Sequence, residues 1–157
     1  MADIHIDDFY RDCALALLRL YNFFPRKCTL YVDDIISPEH PDEFGIPTQR
    51  HLACFGCMIW LAEEGYARYE DTIRHDALDQ IVLTQTSFIK LSGLLPAQLC
   101  QPIPPHQQEN PPLPPSVAEQ HATLAQQLRH AINHQQALMV KHLLRYFFNK
   151  ELPPPHS

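Results

Sequence analysis

The sequence predicts a mainly α protein with a small β element, an α+β class, over residues 1–96. A proline-rich linker at 97–115, a long C-terminal helix at 116–150 and a short tail at 151–157 follow. Three observations predict it. Apolar residues recur at helical spacing in residues 7–24 and 48–64; residues 66–84 alternate loosely around a polar tip; and most of the fifteen prolines fall from Pro96 onward.

Residues 7–24 place Phe9, Cys13, Leu17, Leu20 and Phe24 on one face, with Ala14 and Leu18 beside them. Asp7 or Asp8 can cap that helix, and Pro25 stops it. Residues 27–32 (KCTLYV) read as a strand, and the acidic, proline-containing residues 33–45 as a turn with a short helix at most. A second helix opens near Pro47 and Thr48, with Leu52, Phe55, Ile59 and either Met58 or Ala62 on one side. Gly65 is its natural stop. Two strand-like runs over 66–73 and 78–84 flank a tip made by Arg74, His75, Asp76 and Ala77. Phe88, Leu91 and Leu95 then resume helical spacing before Pro96.

Beyond the linker, Ser116 and Glu119 form a capping-box pattern for the last helix. Its seam carries Leu124, Leu128, Ile132, Leu138, Met139, Leu143 and Phe147. A helix this apolar must bury its seam against its own domain or against a second copy; pairing with a second copy is the favoured use, so these seven residues are the expected homodimer interface.

Charge narrows the function classes. Residues 1–100 hold 8 Lys/Arg against 15 Asp/Glu. Such a field repels phosphate unless one face is locally basic. The five cysteines follow no apolar leader, and no apolar run approaches the ~20 residues needed to cross a bilayer, so a reduced, cytoplasmic chain without a membrane partner is expected.

The run Trp60-Leu61-Ala62-Glu63-Glu64-Gly65-Tyr66-Ala67-Arg68 and the later Val82-Leu83-Thr84 carry a resemblance. In order and pattern, residues 7–95 resemble a winged helix-turn-helix domain of the multiple-antibiotic-resistance-regulator (MarR) type. Asp71-Thr72-Ile73-Arg74 stands where that family's wing has Asp-x-Arg, and Gln85-Thr86 where it has a glycine. The resemblance implies a dimeric transcriptional regulator binding double-stranded DNA. By position, Thr48, Gln49, Arg50 and His51 would read the groove, and Arg68, Arg74 and His75 on the wing would meet the backbone. The alternative is a non-catalytic adaptor that uses the same scaffold, with its acidic surface, to hold a protein partner.

His51, Cys54 and Cys57 share a helical face, but no fourth metal ligand stands nearby, and buried thiols usually pack. His130 and His134 lie one turn apart and read as polar residues of a helix. Asp33, Asp34, Glu39, Asp42 and Glu43 lack calcium-loop spacing and read as a solvated loop. No catalytic motif is present, so no catalytic residue, metal or cofactor is expected.

Overall fold

The structure, a computed structural model, describes residues 4–38, 40–102 and 122–149. Most of the proline-rich linker, the Ser116/Glu119 capping box, Glu39 and the tail lie outside the described residues. The fold is mixed α+β: helices with a small antiparallel sheet. Two compact units divide between Ile89 and Lys90.

In the first unit, α1 spans Ile4–Phe23 and buries Cys13, Ala14, Ala16, Leu17, Leu18 and Leu20. Asp7 does not cap it. The helix starts about a turn earlier and Asp7 lies in its first turn, where a carboxylate complements the positive end of the helix dipole. β1 (Cys28–Tyr31) runs into a 3-10 turn at Val32–Asp34, and the Asp34 carboxylate accepts a bond from the Tyr31 amide at 3.1 Å. In the loop that follows, Asp42 accepts from the amides of Phe44 and Ile46, each at 2.9 Å. Part of the acidic cluster therefore shapes its own backbone.

α2 spans Gln49–Glu63 and begins as its sequence requires, with the Thr48 hydroxyl accepting from the His51 amide at 3.1 Å. It ends in a Schellman closure: Tyr66 N–H donates to Leu61 and Gly65 N–H to Ala62, with Gly65 at φ +85°. Of the expected face only Met58 is fully buried. His51, Cys54, Cys57, Met58 and Leu61 face inward, whereas Leu52 is exposed and Phe55 and Ile59 are half-buried. The two stripes differ by one residue, about 100° of rotation. Hydrogen bonding of His51 lets a polar side chain occupy the inner stripe.

The sheet is centred on β4 (Ala77–Leu83). β1 pairs with one edge, and β2 (Ala67–Arg68) and β3 (Asp71–Ile73) pair with the other, all antiparallel. The β1 register shifts between Cys28 and Leu30, opposite Gln80, which sits at φ +53° and marks a bulge. Asp76 N–H donates to Ile73 at 2.9 Å and closes the β3–β4 turn. α3 (Gln85–Ser92) follows, its Ser87 hydroxyl donating to the Tyr66 carbonyl at 2.6 Å, and Phe88 stacks on Phe24 with ring centres 4.3 Å apart.

In the second unit, a 3-10 turn at Ala97–Leu99 is followed by α4 (Leu124–Asn133) and α5 (Ala137–Phe148), which pack on each other. The single long helix is thus corrected to two. Gln136 N–H donates to Ala131 and Gln135 N–H to Ile132, the same closure that ends α2, here with Gln135 rather than glycine at φ +54°. Folding back lets Leu124, Leu128, Leu143 and Phe147 reach 1 % exposure or less within one chain. Of the seven expected interface residues these four are already core, while Ile132 and Met139 are half-buried and Leu138 is 67 % exposed. Gln127, also buried, accepts from Gln101 N–H at 2.8 Å and donates to its carbonyl at 3.0 Å. No helix among the described residues is long and apolar enough to cross a membrane.

Candidate functional site

The seven residues expected to meet nucleic acid fall into two sets. Thr48, Arg50 and His51 are engaged within the fold. Gln49 at the start of α2, Arg68 on β2, and Arg74 and His75 at the hairpin tip are exposed.

Arg50 makes the strongest contacts of the first set. Its Nη1 and Nη2 donate to the two carboxylate oxygens of Asp12 at 2.6 and 2.7 Å, and its Nε lies 3.6 Å from Asp8. The Asp12 side chain is 1 % exposed and the Arg50 side chain 25 %. Hydrogen bonding to Asp12 holds the guanidinium above its usual range, against the opposing effect of burial. A bidentate fork of this kind occupies the donors that would otherwise reach a base edge or a phosphate.

His51 is turned inward as well. Its Nε2 lies 2.9 Å from the His75 carbonyl and 3.1 Å from an Asp76 carboxylate oxygen. Both partners are acceptors, so Nε2 carries the proton and donates. The α2 N-terminus is thereby tied to the hairpin tip. The His75 ring remains exposed and forms a T-shaped pair with Phe55, ring centres 5.7 Å apart.

The thiols on the same helix pack. Cys57 Sγ lies 2.9 Å from Cys13 Sγ, Cys54 is fully buried, and burial pushes the Cys13 and Cys54 thiols up, keeping them protonated. His130 and His134 sit with ring centres 4.2 Å apart at the end of α4, where desolvation and then the neighbouring His134 lower the His130 pKa.

Beside the Arg50–Asp12 pair lies a feature that apolar periodicity did not expose. A groove of about 660 Å³ runs between α1 and α2. Ile4, Ile6, Phe9 and Trp60 give it apolar walls; Ala53, Gly56 and Cys57 line it from α2; Asp8, Asp12, Arg50 and His5 are its ionisable groups, with Gln49 beside them. Phe9 and Trp60 meet edge to face at 5.1 Å. The sequence signal is the stripe Gln49, Ala53, Gly56, Trp60, where two small residues interrupt an otherwise bulky helix.

Searches of protein-family models, curated proteins and solved structures find no match to the chain.

Proposed function

We propose that the chain is a non-catalytic protein-interaction module built on a winged-helix-like scaffold. The order helix, strand, helix, hairpin, helix, with β1 and β2 on opposite edges of β4, supports the scaffold reading. The observation that carries the functional reading is the bidentate Arg50–Asp12 pair: the one arginine at the reading end of α2 is held by a buried carboxylate. Between β1 and α2, moreover, the described residues hold a 3-10 turn and an acidic loop in place of a helix that would cross phosphates.

Duplex DNA binding is the second reading, favoured by the exposure of Arg68, Arg74 and His75. Too few cations stand free to offset an acidic unit. In that reading a handful of phosphate contacts would give weak, salt-sensitive affinity. Self-association through the expected C-terminal seam is left with what α4 and α5 do not cover, Leu138 with the half-buried Ile132 and Met139.

Fluorescence anisotropy of a labelled duplex at about 50 mM salt separates the two, because non-specific affinity of a true DNA binder lies in the roughly 1 to 100 μM range even at higher salt. No saturable rise at tens of micromolar protein is expected. A rise that weakens steeply with added salt and is lost on replacing Arg68 and Arg74 by alanine overturns the proposal.

A further inference from the structure

We propose that the groove between α1 and α2 docks a basic amphipathic helix of a partner protein, its apolar side chains packing over Gly56 beside the Phe9–Trp60 contact, and a lysine or arginine meeting Asp8. The inference rests on the protein-interaction reading above and names the partner's chemistry.

The floor is the first argument. Gly56 lies in the interior of α2, where glycine is less stable than alanine. A Cβ built on it meets nothing within 4 Å. Neither backbone conformation nor a neighbouring atom of the fold requires glycine there. What the missing side chain provides is close approach to the α2 backbone from the groove.

Charge selects the sign of the occupant. Asp8 and Asp12 line the groove with two basic side chains, His5 and Arg50, and the guanidinium of Arg50 is bonded to both oxygens of Asp12. Asp8 stays 38 % exposed at 3.6 Å from Arg50 Nε and has capacity for a further cation. The surrounding residues 1–100 are acidic, so the long-range field also draws a basic partner and repels an acidic one.

Length and wall type select the conformation. The α1 wall runs from Ile4 to Asp12 and the α2 wall from Gln49 to Trp60, or about 12 and 16 Å at the rise of an α-helix. That accommodates two to three turns of a third helix, with apolar anchors at i, i+3 or i+4, and i+7. Both walls are helices, so an extended peptide finds no strand edge to pair with.

Trp60 is the chain's one tryptophan and lines the groove, so its emission reports occupancy directly. The probes are two fluorescein-labelled, tryptophan-free peptides of about five helical turns. Both carry leucines on one face; one has lysine and the other glutamate on the opposite face. With the full-length chain, the Leu/Lys peptide is expected to give saturable anisotropy and to shift Trp60 emission. The Leu/Glu peptide should bind at least about tenfold more weakly. Gly56→Leu fills the floor from a helix position with open space in front of it; it should weaken the Leu/Lys peptide about tenfold while leaving the thermal midpoint unchanged or raised. Asp8→Asn should weaken it less.

Equal binding of both peptides, or wild-type affinity in a folded Gly56→Leu variant, overturns the groove assignment. If the Leu/Lys peptide binds without moving Trp60 emission, the groove falls while protein binding stands. Duplex binding in the anisotropy assay described above, with no peptide bound, overturns the broader reading together with this one.

Discussion

The first turn of α2 and the tip of the β3–β4 hairpin carry the same dipeptide, Arg50-His51 and Arg74-His75, and the fold uses the two in opposite ways. Arg50 and His51 face inward and hold elements together; the side chains of Arg74 and His75 face solvent. They even meet, because the acceptor for His51 is the His75 backbone carbonyl rather than its ring. What separates them is context. Asp12 and Asp76 stand where the first pair can reach them, and burial makes those polar contacts obligatory. Residue type alone therefore assigns no role to an arginine; its carboxylate neighbours do.

Breaking the inward arginine gives the largest expected effect. Arg50→Ala leaves the Asp12 carboxylate buried without its fork, a class of change that costs roughly 3–5 kcal/mol when the pair is fully buried. Arg50 is a quarter exposed and water reaches part of the pair, so about 2–4 kcal/mol is expected. Arg50→Lys should recover only part, since an ammonium cannot match both oxygens. Arg74→Ala should lie within about 0.5 kcal/mol of the parent. Urea unfolding of the three variants measures the contrast; equal losses for Arg50→Ala and Arg74→Ala would show that the fork contributes nothing.

The histidines sharpen the contrast at smaller scale. His51→Ala removes a donor shared by the His75 carbonyl and the partly exposed Asp76, and should cost about 1–2 kcal/mol. His75→Ala removes only a ring in a T-shaped pair with Phe55, for about 0.5 kcal/mol, and keeps the carbonyl that His51 uses. Hydrogen exchange at the α2 N-terminus should rise for His51→Ala alone. If both variants raise it alike, the His51 bond is not what ties helix to hairpin.

Local signals in the sequence fix local geometry, whereas long-range pairings leave little trace in it. A helix opening near Pro47 and Thr48, Gly65 as its stop and a tip around Arg74 each depend on a few adjacent residues; Thr48 caps α2 and Gly65 ends it, while the tip narrows to residues 74–76 because Ala77 already opens β4, and the run 66–73 is split into β2 and β3. Arg50 finds Asp12 thirty-eight positions away, and no periodicity encodes that pairing. On α2, two apolar stripes lie one residue apart; choosing between them required knowing that His51 would be hydrogen-bonded and could turn inward. The break between α4 and α5 has no glycine or proline to announce it. Gln135 takes a left-handed conformation because folding back buries Leu124, Leu128, Leu143 and Phe147 against the chain itself. The groove was hidden for a related reason: Ala53 and Gly56 are informative by the side chains they lack, which a search for apolar faces passes over.

The smallest expected effect has the opposite sign. Arg74 follows Ile73 in the turn closed by Asp76 N–H, at φ +51°, a position where tight hairpin turns favour glycine. A non-glycine residue in the left-handed region costs about 1 kcal/mol locally, and glycine gives back part of that gain through the greater freedom of its unfolded chain. Arg74→Gly should therefore stabilise the protein by about 0.5 kcal/mol, as a small rise in thermal midpoint. The same substitution deletes an exposed cation at the tip. A protein that used Arg74 on phosphate would become more stable and bind duplex less; one that does not would only become more stable. Measured together, midpoint and duplex anisotropy thus ask whether the strain at Arg74 accompanies a function or merely a tolerated residue.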